Sequence, residues 1–127
     1  MGTLIDHLQT TTAIPLEFSA QEELPAVPAL AQHHLLRITR EAVNNAIKYS
    51  AAKSIRIALG HGPGTIHLKV EDDGTGFDPA ERSGAAGHFG LQGMKERVRK
   101  LGADLDLRSK PGQGTTVEVV LAIPSPA

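Results

Sequence analysis

The chain has 127 residues, 13 basic against 14 acidic, with no cysteine, no tryptophan and four other aromatic side chains. Such a length supports one core and one domain, and the near-zero charge excludes a broad cationic surface for nucleic acid. The missing thiols exclude disulfides and thiolate metal sites, no apolar run approaches the ~20 residues of a membrane span, and the first residues lack the layout of a signal peptide.

Residues 3–10 are expected to form a short helix, with Leu4, Ile5 and Leu8 on one side. Ile14 to Phe18 alternates as a strand does, and residues 19–28, rich in Pro and Glu, read as a loop. A long helix is expected from about Pro28 to Ser50. Proline suits a first turn, where no N–H is needed, and Leu35, Ile38, Ala42, Ala46 and Tyr49 recur at helical spacing. Ser54–Leu59 and Thr65–Glu71 read as a hairpin joined by the turn cluster GHGPG (60–64), with Ile66, Leu68 and Val70 on one face. The glycine-rich stretch 74–90 contains no expected element, and a loop of that length inside one domain is functional or disordered. A helix follows over Leu91–Leu101, with Leu91, Met94, Val98 and Leu101 on its apolar side and Gly102 as its stop. Leu105 and Leu107 mark a strand, KPGQG (110–114) a turn, and Val117, Val119 and Leu121 the last strand. A frayed tail is expected from Pro124. This order predicts a mixed sheet covered by helices on one face.

Four segments carry candidate chemistry. At ~100° per residue, Glu41, Asn45 and Lys48 fall within about 60° of one another, beside the apolar arc of the long helix. A hard cation such as magnesium takes oxygen ligands and leans on substrate phosphates. Asn45 can supply one oxygen, Glu41 can orient a nucleophile or a metal-bound water, and Lys48 can meet a phosphate. In DDGTGF (72–77) two acids stand at a strand end beside glycines that permit close approach. Asp72 and Asp73 are both candidates to accept a hydrogen bond from an exocyclic amine such as that of adenine. The glycines at 84, 87, 90 and 93 lead into a helix start, where free amides and the helix dipole attract anions. In GQGTTV (112–117), Thr115 or Thr116 offers a hydroxyl to a base or a buried water.

Other chemistries lack their residues. GxxxxGK[ST] and HExxH are absent, and GTGFDP lacks the third glycine of the dinucleotide fingerprint. His33 and His34 point ~100° apart on a helix and cannot jointly clamp a zinc. His61 and His67 can face each other across the hairpin, where a surface role is expected.

EAVNNAIKY (41–49), DDGTGF, GHFGLQGM (87–94) and GQGTTV, in that order, resemble the asparagine box and three glycine boxes of the GHKL ATPases. That superfamily holds sensor histidine kinases, type II topoisomerases, heat-shock chaperones and mismatch-repair ATPases. The resemblance covers roughly residues 28–123, and the run from Gly87 to Val117 is similar to nitrate-sensor-type bacterial histidine kinases. It implies a two-layer α/β sandwich, with ATP between a helix and a mobile lid. Glu41, Asn45 and Lys48 would be catalytic, Asn45 holding Mg2+. Tyr49 would lie along the adenine or ribose, Asp72 would bond the adenine amine, and Gly74 and Gly76 would seat the base. Gly87, His88, Gly90, Leu91 and Gly93 would form the lid and its helix start, and Thr115 would sit near the base. The superfamily often has asparagine where this chain has Asp73, and the subgroup often has histidine at the place of Tyr49.

The resemblance also implies partners. The phosphoryl group would pass to a histidine on a separate dimerisation domain of the same kinase, and indirectly to a response regulator. His7 stands in IDHLQ, with its acid before rather than after the histidine, and 33 residues lie between it and Glu41. That is too few for the rest of a helical hairpin, so a catalytic domain without its own phosphoacceptor is expected. Such a domain would be cytoplasmic and monomeric, with no nucleic-acid or direct membrane contact, although the parent sensor can be membrane-anchored. The alternatives are an anti-sigma-factor serine kinase, disfavoured by the longer second glycine box and its basic helix, and a degenerate interaction module without nucleotide.

Overall fold

Alternating helix and strand signals resolve, in a computed structural model, into α1 (Gly2–Gln9), β1 (Leu16–Ala20), α2 (Ala29–Tyr49), β2 (Ile55–Gly62), β3 (Thr65–Asp72), α3 (Leu91–Leu101), β4 (Asp104–Ser109) and β5 (Thr115–Ala122). The structure describes residues 2–21, 27–49, 52–74, 91–109 and 112–122. The strands form one sheet in the order β1-β2-β3-β5-β4. β1 runs parallel to β2, and every other pair is antiparallel. The predicted mixed sheet and hairpin are therefore present. The tail from Pro124 lies outside the described residues.

Two boundaries differ from the sequence reading for local reasons. β1 starts at Leu16 rather than Ile14. Pro15 has no N–H to give a ladder, and the Gln9 amide ties this corner instead. Its Nε2 donates to the Ile14 carbonyl (2.9 Å) and its Oε1 accepts from the Leu16 N–H (2.9 Å). The predicted turn cluster at 60–64 is shorter than expected, because β2 runs on through Gly62, which pairs with Thr65. Only Pro63 and Gly64 turn, with Gly64 at φ +69°, as a proline-glycine turn requires at its second position. The same register sets His61 opposite Ile66 and His67 opposite Gly60, so these histidines do not face each other.

The long helix begins where proline permits. The Pro28 carbonyl accepts the Gln32 N–H (2.9 Å), so Pro28 caps the helix and needs no N–H of its own. α3 ends as its sequence predicts. Gly102 adopts φ +67°, its N–H reaches the Arg99 carbonyl (3.1 Å), and the Ala103 N–H reaches the Val98 carbonyl (3.0 Å). This is the Schellman arrangement that only a left-handed residue completes without strain.

The core lies between the sheet and the helices. Ile38 and Val43 of α2 meet Ile55, Ile57, Ile66, Leu68 and Val119 of the sheet, all almost inaccessible. Ile5 and Leu8 of α1 and Val98 of α3 extend it. The opposite sheet face carries exposed or half-exposed ion pairs, such as Arg56–Glu17 (3.3 Å) and Arg108–Glu118 (2.8 Å). Fully burying one such aliphatic side chain is worth about 1.5–3 kcal/mol, whereas an exposed pair is worth about 0–1 kcal/mol. The helix-facing side therefore holds the fold, and the charged face chiefly keeps the sheet wet.

Candidate functional site

One end of the sheet gathers the polar residues. Asp72 ends β3 and is paired with Ile55, the first residue of β2, and with Thr115, the first residue of β5. Thr115 is in turn paired with Ser109, the last residue of β4. Asp72 thus stands mid-sheet in a row formed where four strands start or stop. A strand end of this kind frees the backbone to bind something other than the next rung.

The structure separates the two adjacent aspartates. Asp72 is half-buried, and its Oδ1 accepts the Gly74 N–H (2.9 Å). Burial pushes its carboxyl above the ordinary aspartate value, opposed first by the Gly74 N–H, while the charge of Asp73 adds to the rise and the Thr115 N–H opposes it. Only part of a carboxylate's four lone-pair positions is taken by these contacts, so Asp72 can still accept a hydrogen bond from a ligand. Asp73 is exposed and turned the other way, onto β2. Its Oδ1 accepts the N–H groups of Lys53 (2.7 Å) and Ser54 (2.9 Å), and its Oδ2 accepts the Ser54 hydroxyl (3.1 Å). Of the two candidates for an exocyclic amine, Asp72 alone keeps acceptor positions away from β2.

The last glycine box closes on this loop from the other side. Gly114 is buried and has φ +78°, and a β-carbon there would collide with the Asp72 carbonyl oxygen. Its glycine is thus demanded twice, by conformation and by close approach. Thr115 is buried, and its Oγ1 lies 2.8 Å from the Ser109 Oγ. Sequence reasoning missed Ser109. Its only signal was a hydroxyl ending one strand of a hairpin whose other strand opens on threonine.

Helix α2 carries the second group of candidates. Five residues separate Tyr49 from Ile55, a span of at most about 20 Å, which bounds the distance between the C-terminal end of α2 and the row containing Asp72. Glu41 and Asn45 are half-buried beside the buried Ala42 and Ala46, at the rim of the core as their spacing predicts. Neither has a side-chain hydrogen bond or ion pair with another described residue, so both remain available. Nearer its N-terminus, α2 touches α3. His34 is buried, and Arg97 Nη1 lies 3.3 Å from its Nδ1. Burial first, then the Arg97 charge, lowers the His34 pKa and favours the neutral ring as acceptor. The side chains of Lys48, Tyr49 and residues 91–94 lie outside the described residues, as do Gly76, Gly87, His88 and Gly90. Gly93 is placed only as backbone in the first turn of α3.

Over residues 31–125 the chain matches the family described as histidine kinase-, DNA gyrase B-, and HSP90-like ATPase. It belongs to this ATPase family. The sensor histidine kinase LiaS of Bacillus subtilis (strain 168) is 32% identical over 120 residues, which make up 94% of this chain and 32% of LiaS. The nitrate/nitrite sensor protein NarQ of Escherichia coli (strain K12) is 36% identical over 118 residues, 91% of this chain and 20% of NarQ. The chain thus spans a third or less of the length of these relatives. Among solved structures, the blue-light activated histidine kinase of Erythrobacter litoralis EL346 superposes with a TM-score of 0.77 at 22% identity, covering 96% of this chain and 40% of that one. That likeness establishes the fold: the two-layer α/β sandwich of the histidine kinase-like ATPases. Asp72, Gly74, Gly114 and Thr115, from two glycine boxes far apart in sequence, meet at one sheet end within it.

Proposed function

We propose that this chain is the ATP-binding catalytic domain of a two-component sensor histidine kinase. One observation carries the reading: the half-buried Asp72 carboxylate accepts the Gly74 N–H, lies beside the Thr115 N–H, and stands where β3 ends between the two glycine boxes. A carboxylate partly withdrawn from water and still able to accept is the complement of an adenine amine. Gly76, Lys48 and Tyr49 would complete the nucleotide site. Gly87, His88, Gly90, Leu91 and Gly93 would supply the lid and its anion-binding helix start.

Magnesium fits the donor chemistry of α2. Among the described residues no group of three or more His, Cys, Asp or Glu could hold a metal ion. A magnesium site here would therefore take one protein oxygen, from Asn45, and complete its shell with phosphates and water, as that ion commonly does. The ion would neutralise charge on the phosphates. Glu41, one helical turn before Asn45, would orient the attacking imidazole. In the transfer, the acceptor nitrogen bonds to the γ-phosphorus, the bridging bond to the β-phosphate breaks, and ADP leaves. Positioning and charge neutralisation supply most of such catalysis.

The acceptor histidine would sit on the dimerisation domain of the parent kinase, and a response regulator would receive the group in turn. No helix among the described residues is long and apolar enough to cross a membrane. We infer a cytoplasmic, monomeric catalytic domain. Asp72→Asn is expected to remove the preference for ATP over GTP, read as the ratio of their dissociation constants by calorimetry. An unchanged preference sinks the adenine assignment.

A further inference from the structure

We propose that Asp73 is a positioning residue, which pins the corner of the Asp72–Gly74 turn to β2 and so aims the Asp72 carboxylate at the purine amine. The inference rests on the reading of Asp72 as the adenine acceptor. Asp72, Asp73 and Gly74 form an Asx-type turn, closed by the Gly74 N–H on Asp72 Oδ1 (2.9 Å). Asp73 is its middle residue. Its carboxylate accepts three hydrogen bonds, from the Lys53 N–H, the Ser54 N–H and the Ser54 hydroxyl (2.7, 2.9 and 3.1 Å), and its own N–H points at the Ser54 carbonyl (3.4 Å). On the opposite side Gly114 packs against the Asp72 carbonyl and the Asp73 Cα. The turn is thus gripped by the residues that lead into β2 and into β5, while the Asp72 carboxylate itself takes only the Gly74 and Thr115 N–H groups.

This arrangement also accounts for an acid at the place where the superfamily often has asparagine. The Asp73 carboxylate faces backbone donors at the start of β2, and those donors, the Ser54 N–H foremost, hold its pKa below the ordinary aspartate value. An asparagine could accept both N–H groups on one oxygen and donate to the Ser54 hydroxyl. Asparagine and aspartate can therefore do the same work there. Because the clamp is exposed, water can replace it when it is removed. Its loss should loosen the aim of Asp72 more than the fold.

The test compares ATP with purine riboside triphosphate, which lacks only the 6-amino group, by calorimetry on the unmodified chain, D73A, D73N and D72N, with thermal melts alongside. The unmodified chain is expected to prefer ATP by about tenfold or more, as a charge-assisted hydrogen bond allows. D73A should bind the analogue within about twofold of the unmodified chain, yet lose most of that preference, and D73N should keep it; these bounds follow from the same bond strength. A D73A chain that retains the preference, weakens both nucleotides equally or fails to fold overturns the positioning role. Where D72N loses the preference and D73A does not, the Asp72 reading stands and only this inference falls. Equal binding of both nucleotides by the unmodified chain removes both.

Discussion

Asn45→Ala is expected to abolish magnesium-dependent use of ATP while leaving the fold in place. Asn45 is half-buried on α2 and has no hydrogen-bond partner among the described residues, so truncation leaves no described group unpaired. Alanine is the strongest helix former, so α2 is not weakened. What disappears is the one amide oxygen on this stripe able to meet a hard cation. Removing one preorganised group that stabilises transition-state charge costs about 10²–10³-fold in rate, and loss of the metal itself costs more. The parent kinase carrying Asn45→Ala should show no measurable transfer to its histidine, with the circular dichroism of the domain unchanged. Normal transfer by that variant would refute the role of Asn45.

Gly114→Ala should damage both stability and nucleotide binding, and Gly112→Ala separates the two causes. Both glycines have positive φ, +82° at Gly112 and +78° at Gly114. An alanine forced into the left-handed region costs about 1–2 kcal/mol, and at Gly112 that is the whole penalty, because an added β-carbon meets nothing within 4 Å. At Gly114 the same β-carbon strikes the Asp72 carbonyl oxygen. That backbone cannot yield without moving the carboxylate proposed to read adenine. Denaturant midpoints should therefore fall for both variants and further for Gly114→Ala, which alone should lose ATP affinity. Equal losses of affinity would show that the contact between the two glycine boxes does not matter to binding.

Much of this fold is legible in the sequence because its signals are periodic. Leu35, Ile38, Ala42 and Ala46 announce the buried stripe of α2, and Ile66, Leu68 and Val70 the inner face of β3. Glu41 and Asn45 fall at the rim of that stripe for the same geometric reason. Periodicity ends at the strand ends, and so does the foresight. Whether Asp72 or Asp73 faces a pocket depends on which neighbour captures which carboxylate. The captor of Asp73 is the backbone at Lys53 and Ser54, about twenty residues earlier in the chain. The Ser109–Thr115 hydroxyl pair likewise exists only once β4 and β5 are in register. Gly114 reads as an ordinary turn glycine until the Asp72 carbonyl is found against it. At the first strand, alternation ran two residues too far because it ignored Pro15 and the Gln9 side chain that bonds across the corner.

We propose the sheet end around Asp72, together with the polar stripe of α2, as a magnesium-nucleotide site. Calorimetric titration of the unmodified chain with ATP, with and without magnesium, tests it most directly. The structure predicts saturable one-to-one binding that magnesium strengthens. A flat titration under both conditions would contradict the claim and leave this chain an interaction module that keeps the ATPase fold without its ligand.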